Sequence, residues 1–263
     1  MRPERWWKFL DLNIEYINDN ESSFCYLWSR AYQKKDCLEL FSNDKLGDDY
    51  FFNRLNIRYP CNDIVEILNS IKGKRTSDIN TYYIHLICDT KNSFNLSLPK
   101  FGTMKILGYD VKNYVMNTIK DIEIEEVDKN DLEEWIDIFC DSFDSLGIKT
   151  EVTSIISKHY RKLTLFVARY NLNQGTYPAG CCLLFEKNNN IGLYCLGTIQ
   201  HFRRKGVASQ LIENAIKIAK DNDYNTLVMQ TLTEEKYDEF YKKLGFRTIY
   251  EKKLYTFNLN WVR

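Results

Sequence analysis

The chain has 263 residues, of which 44% are hydrophobic and 27% charged, a composition typical of globular proteins. Its 36 Lys and Arg are balanced by 36 Asp and Glu. This zero net charge argues against nucleic acid or membrane partners for the whole surface, so a basic site must be local. No apolar run reaches the roughly 18 residues of a membrane span, and the N-terminal stretch lacks a signal-peptide core, so we expect a cytoplasmic protein.

Cysteine and histidine spacing favours neither a metal site nor a disulfide framework. The eight cysteines form no CxxC pair, and the three histidines have no metal-ligand spacing. We therefore expect free thiols in a reducing compartment and no metal cofactor.

Residues 1–119 are predicted to form a smaller, non-catalytic α/β domain. Bulky apolar residues at helical spacing indicate helices, and short apolar runs indicate strands. The predicted elements are helices at 4–18 and 22–33 separated by the polar stretch NDNESS (18–23), a strand at 51–59, a helix at 61–71, a strand at 81–89, and strand-like residues at 103–119 around a bend at Gly108.

Residues 120–263 are predicted to form a second domain with the order β-α-α-β-β-β-α-β-α-β. An Asp/Asn cap precedes its first helix, and Gly, Asn and Pro separate its strands. The predicted strands are 122–127, 164–170, 179–187, 191–200, 225–231 and 247–257, and the predicted helices are 128–143, 150–163, one from 206 and 234–246.

The stretch HFRRKGVASQL places Arg203, Arg204 and Lys205 directly before Gly206 and an amphipathic helix. The first N–H groups of a helix lack partners, and they bind phosphate well when cations and a glycine lie beside them. The alternative is a solvated cationic turn. GxGxxG and GxxxxGK[ST] are both absent, so dinucleotide and triphosphate loops are unsupported.

RRKGVA (203–208) resembles the R/Q-x-x-G-x-G/A signature of the GNAT superfamily of acyl-CoA N-acyltransferases. YKKLGF (241–246) is similar to that family's second signature, a tyrosine four residues before Gly-Phe. The resemblance implies a mixed central sheet flanked by helices. It also implies acetyl-CoA as co-substrate in a splay beside the strand 191–200.

The same resemblance implies a role for each residue of the site. Tyr241 matches the general acid that protonates the leaving thiolate, although the apolar spacing around it is also that of core packing. The pantetheine arm would pair with the backbone near Leu196 and Thr198. The pyrophosphate would bind at Arg203, Arg204, Lys205, Gly206, Val207, Ala208 and Ser209.

Two departures from the family pattern concern side chains. The asparagine that many members carry seven residues before the tyrosine is Glu234 here. The glutamate that many members place early in the strand before the phosphate turn is absent from NNNIGLYC (188–195). Glu186, Glu234, His201 or a water chain remain as candidates for the general base.

The first domain is predicted to be a degenerate copy of the same fold. KILGYDVKNYVM (105–116) resembles KKLGFRTIYEKKLY (242–255), with Met104 at the tyrosine position. Gly73, within KGKR, follows its predicted helix and so marks a solvated helix end. His85 is interpreted as a packed or rim residue, and no catalysis is expected in this half.

These features predict an N-acetyltransferase that uses acetyl-CoA and a primary amine, with a small molecule favoured as acceptor. Two alternatives stay open: transfer to a protein N-terminus or lysine, and a non-catalytic acyl-CoA sensor. The missing carboxylate keeps the sensor open.

Overall fold

The computed structural model describes residues 13–35, 37–58, 81–87, 96–114 and 121–258. The predicted helix 61–71, the Gly73 cluster and most of the predicted helix 4–18 lie outside these residues. The α-helices in the described part are α1 (Ile14–Trp28), α2 (Leu132–Ser142), α3 (Lys149–His159), α4 (Val207–Asp221) and α5 (Asp238–Lys243). The strands there are β1 (Ala31–Lys35), β2 (Leu38–Ser42), β3 (Arg54–Arg58), β4 (Thr81–Ile87), β5 (Lys100–Asp110), β6 (Ile122–Glu126), β7 (Thr164–Leu172), β8 (Gly175–Lys187), β9 (Asn190–Thr198), β10 (Thr226–Leu232) and β11 (Arg247–Asn258).

The element order predicted for residues 120–263 is confirmed, from β6 through α5 to β11. Three of its helices are shorter than predicted: 128–143 is helical only over Leu132–Ser142, 150–163 only up to His159, and the last shortens most. The helix predicted at 234–246 covers only Asp238–Lys243. Lys236 has a φ of +61°, a left-handed conformation that separates a short 3₁₀ turn (Thr233–Glu235) from α5.

The predictions for the first half were less accurate. NDNESS is not a break, because α1 runs through it. Gly108 does not bend the chain, since β5 continues through it from Lys100 to Asp110. The strands β1 and β2 were not predicted. The five residues of β1 are polar or exposed and those of β2 mostly buried, and strands this short take their conformation from the strands beside them.

The described chain divides into two compact units that do not follow the predicted boundary at 119/120. Both units combine segments from both halves of the sequence. The first unit is residues 1–24, 107–229 and 240–247, and the second is residues 25–106, 230–239 and 248–263.

The strands of each unit contain one parallel pair. The first unit has the order β5-β10-β9-β8-β7-β6, with β9 and β10 parallel. The second has the order β1-β2-β3-β4-β11-β5, with β3 and β4 parallel. In both, the strand beside the parallel pair comes from the other half of the sequence, which is β5 in the first unit and β11 in the second. This exchange explains why the units are interleaved.

Each unit has its own apolar core. In the first, the apolar face of α4 packs on the sheet through Val207, Leu211 and Ala215, together with Phe246. In the second, Leu55, Ile84 and Tyr255 form the centre of a smaller cluster. Both cores follow the apolar periodicities of the sequence.

The buried side chain of Asn20 in α1 forms hydrogen bonds with β8 and β9 of the first unit. Its amide nitrogen donates to the carbonyl oxygens of Phe185 and Asn190, at 3.0 and 3.1 Å. Its oxygen accepts from the Tyr194 hydroxyl at 2.7 Å, and Phe24 stacks on the Tyr194 ring. These buried hydrogen bonds explain why a polar stretch is helical here.

The thiol expectation needs one correction. Cys37 is disulfide-bonded, because tertiary packing rather than spacing decides which cysteines meet. Five cysteines in the described part are free: Cys25, Cys140, Cys181, Cys182 and Cys195. Burial raises the pKa of Cys181 and Cys182, which keeps those thiols protonated.

His85 is fully buried in the second unit, so it is a packed residue as expected and not a rim residue. Its Nε2 donates to the Tyr50 carbonyl at 2.9 Å. Burial, with the nearby cations Arg54 and Lys252, holds the pKa of His85 well below its usual value. The imidazole is therefore neutral in the folded protein.

This burial predicts an acid-sensitive stability. Below pH about 6.5 an unfolded histidine gains a proton that folded His85 cannot accept, so the free energy of unfolding falls with pH. Relative to His85→Gln, the wild type should lose about 1.4 kcal/mol between pH 7.5 and 5.5. Urea unfolding at both pH values measures this difference. Equal pH dependence in the two proteins would contradict it.

Candidate functional site

The parallel strands β9 and β10 separate after their first residues. They pair only at Ile191 with Leu227 and at Gly192 with Val228. β9 continues for six more residues to Thr198 while still paired to β8. The part of β9 beyond Gly192 therefore has an edge that β10 does not occupy, where an extended ligand could add as a strand.

A β-bulge interrupts β9 in the part that β10 does not pair with. The register shifts opposite Cys182, and Cys195 has a φ of +53°. Just after β9, the N–H of Ile199 donates to the carbonyl of Ala179 in β8. Because backbone groups alternate along a strand, the N–H groups of Leu196 and Thr198 point to the opposite edge.

The turn before α4 has the geometry of an anion site. Gly206 caps the helix with a φ of +89°, and Arg204 has a φ of +63°. The first bond of the helix runs from the N–H of Gln210 to the Gly206 carbonyl, at 3.0 Å. The N–H groups of Val207, Ala208 and Ser209 therefore have no partner within the helix.

The three cations of the turn have different surroundings. Arg203 donates to the carbonyls of Thr198 and Ser142, and its own N–H donates to Gln200. Lys205 lies over the ring of Phe202, 5.3 Å from its centroid, and also over Tyr170. Arg204 is exposed, and no contact within the described residues holds its guanidinium.

Ser142 is a residue of this site that the sequence did not reveal. A Cβ on Gly197 would lie 2.7 Å from the Ser142 Cβ and 3.0 Å from the Phe143 ring, so the end of α2 lies directly on β9. The only signal was Gly197 itself, because a glycine within a strand indicates a close approach.

Tyr241 lies in the core cluster of the first unit and is 9% exposed. Its ring meets Phe240 and Phe246, and Val207 of α4 belongs to the same cluster, with Leu196 packed against it. The structure thus brings the predicted acid, the strand edge and the phosphate turn to one apolar cluster. Both the packing and the catalytic interpretations of Tyr241 predict this burial.

The side chains considered as general base are exposed, and two of them are hydrogen-bonded to other groups. Glu186 pairs with Ile191 near the start of β9 and accepts from the Tyr224 hydroxyl at 2.7 Å. Burial and this contact raise the pKa of Tyr224 to about 12. Glu234 is exposed and accepts from the N–H of Thr103, and His201 is exposed in the turn.

In the second unit, the parallel strands stay paired over all the residues of β3 that the structure describes. β3 pairs with β4 at five successive positions, from Arg54 with Tyr83 to Arg58 with Ile87. The predicted echo also differs in structure, because Leu107-Gly108 lies inside β5 whereas Leu244-Gly245 follows α5. Met104 is a buried strand residue and not a helical counterpart of Tyr241.

Two kinds of feature are absent from the described residues. No three of their His, Cys, Asp and Glu side chains are grouped as a metal site would require. None of their helices has the length and apolarity needed to span a bilayer.

Comparison with known proteins agrees with this geometry. A sequence model of the acetyltransferase (GNAT) family matches residues 129–246. No curated protein shows a significant match to the chain.

Solved structures share the fold over most of the chain. A GCN5-related N-acetyltransferase from Kribbella flavida superposes with a TM-score of 0.64 at 12% identity, covering 91% of this chain and 94% of its own. A conserved protein of unknown function from Staphylococcus epidermidis gives 0.66 at 12% identity, covering 87% and 94%.

The third similar structure is a tandem GNAT protein from the clavulanic acid biosynthesis pathway. It gives a TM-score of 0.57 at 7% identity, with 84% of this chain and 78% of its own chain covered. At such identities the likeness concerns the fold alone. Residues 129–246 thus match the acetyltransferase (GNAT) family in sequence, and the fold of the chain is that of these structures.

Proposed function

We propose that the protein transfers an acetyl group from acetyl-CoA to the primary amine of a small molecule. The observation that carries this proposal is the edge of β9 left unoccupied by β10, next to a helix N-terminus capped by Gly206. Such an edge suits the amides of a pantetheine arm, and such a helix end suits a pyrophosphate.

The residues that would hold acetyl-CoA fall into two groups. The N–H groups of Leu196 and Thr198 are available to the extended arm. The free N–H groups of residues 207–209 face the phosphates, and Arg204 and Lys205 supply positive charge. This assignment agrees with the left-handed conformations at 204 and 206, which turn successive backbone N–H groups towards one side.

The reaction would be a direct attack. The amine nitrogen forms a bond to the thioester carbonyl carbon, the carbon–sulfur bond breaks, and the thiolate takes a proton from the Tyr241 hydroxyl. A free thiol has a pKa of about 8.5, so protonation by a nearby hydroxyl assists its departure. The amine loses its own proton to a water chain, since β9 carries no carboxylate.

The lack of that carboxylate also favours a second candidate function, a sensor that binds acyl-CoA without turnover. The experiment that separates the two is thiol release from acetyl-CoA in the presence of putrescine, tyramine, ethanolamine, L-lysine or a hexapeptide with a free N-terminus. We expect release with at least one of the four small amines, and the largest rate with one of them.

Calorimetric binding of CoA to the same protein completes the test. Binding without release for any amine identifies a sensor. Release with the peptide alone identifies a protein acetyltransferase. Absence of binding would contradict both functions, and the Gly206→Asp variant serves as the control for binding at this site.

A further inference from the structure

Arg203 joins the ends of two elements of the first unit. Its Nε donates to the carbonyl of Thr198, the last residue of β9, at 3.1 Å. Its Nη2 donates to the carbonyl of Ser142, the last residue of α2, also at 3.1 Å. The fork of the guanidinium thus spans from the strand to the helix.

Both carbonyls need such a partner. The last carbonyls of a helix receive no hydrogen bond from an N–H of the same helix. A cation near the helix C-terminus is also stabilised by the helix dipole. The Thr198 carbonyl lies on the edge of β9 that faces away from β8. Arg203 therefore makes two charge-assisted hydrogen bonds to carbonyls that receive no N–H from their own helix or from β8.

The two hydrogen bonds of Arg203 hold the end of α2 next to Gly197 of β9. Ser142 and Phe143 lie so close to Gly197 that no side chain would fit between α2 and β9. α4 packs on the other face of the sheet. Gly197 pairs with Cys181, and a Cβ on the preceding residue, Gly180, would lie 2.8 Å from Val207 of α4. The end of α2 thus covers the face of β9 opposite α4. In the proposed function, this is the face on which the second substrate, the amine, would bind.

We propose that Arg203 is a positioning residue for the acceptor side of the site and not a ligand of the cofactor phosphates. It holds the end of α2 against β9, while Arg204 supplies the charge to the phosphates. That this side of the site holds the acceptor rests on the proposed function. The two hydrogen bonds of Arg203 can be tested without turnover.

Three variants separate the two roles. Arg203→Ala removes charge and hydrogen bonds, Arg203→Gln removes the charge but keeps an amide that can donate to one carbonyl, and Arg204→Gln removes a charge from the same turn. Calorimetry gives the CoA affinity of each. Hydrogen–deuterium exchange gives the protection of residues 139–146, with β7 as an internal reference for global unfolding.

In Arg203→Ala we expect exchange in residues 139–146 to be about tenfold faster, with β7 unchanged and CoA affinity within about threefold of wild type. Arg203→Gln should restore most of the protection. Arg204→Gln should weaken CoA binding about tenfold and leave the exchange unchanged. With an amine that reacts, Arg203→Ala should raise the KM for the amine about tenfold, and Arg203→Gln should largely rescue it.

Equal loss of CoA affinity in Arg203→Gln and Arg204→Gln, with normal exchange in Arg203→Ala, would overturn the inference and make Arg203 a phosphate ligand. Unchanged exchange in Arg203→Ala would overturn it as well. If no amine reacts, the proposed catalysis fails, yet the exchange and binding data still decide whether Arg203 positions α2.

Discussion

Replacing Gly206 by aspartate is expected to weaken acetyl-CoA binding by at least about 100-fold, which corresponds to roughly 2.7 kcal/mol. The position caps α4 with a φ of +89°, where its N–H neighbours have no partner within the helix. A carboxylate there would accept those N–H groups itself and repel the pyrophosphate. Calorimetry measures the loss directly.

Two controls separate charge from backbone strain. Gly206→Asn has nearly the same shape as the aspartate and tolerates a left-handed backbone, so it should lose far less affinity. Gly47→Asp adds a carboxylate at another glycine of positive φ (+65°), with open space around it, and should bind CoA normally. Unchanged affinity in Gly206→Asp would remove the phosphate site from the proposal.

The second large effect is expected for Tyr241→Phe, with a turnover number about 100-fold lower and little change in CoA affinity. The ring stays in the cluster with Phe240 and Phe246, so only the hydroxyl is lost. Steady-state kinetics with the reacting amine, together with calorimetry for CoA, gives the two quantities separately.

Tyr237→Phe is the matched control, because this tyrosine lies just before α5 and is 49% exposed. It should keep wild-type turnover. If Tyr241→Phe also turns over at the wild-type rate, its ring serves packing alone and another group protonates the thiolate. Reduced CoA affinity without a change in turnover number would mean that the hydroxyl binds the cofactor.

The second half of the chain could be predicted in detail because its signals are local. Apolar spacing identified α4 and its buried face, and a glycine after three cations identified the capping turn at Gly206. The pair of signatures identified the family, and the sequence match to residues 129–246 agrees. Each of these signals lies within one element or one turn, where backbone preferences are sufficient.

In the first half of the chain, local sequence patterns did not predict the structure correctly. The polar stretch within α1 looks like a break, and only the contacts of Asn20 with Phe185, Asn190 and Tyr194 explain its helix. Likewise, nothing near Cys37 in the sequence predicted its disulfide. Such residues depend on partners more than a hundred positions away, or on partners that spacing does not reveal.

By itself, the sequence determined the order of the elements in its second half and the position of the cationic turn before α4, and it named Tyr241 as the candidate acid. Only the tertiary structure decided that β5 and β11 lie beside the parallel pairs of the opposite halves, and that Arg203 bonds to Ser142 and Thr198. The physical reason is that side-chain periodicity specifies which face of an element is buried. Strand neighbours and hydrogen-bond partners are chosen by long-range packing, which leaves no periodic trace in the chain.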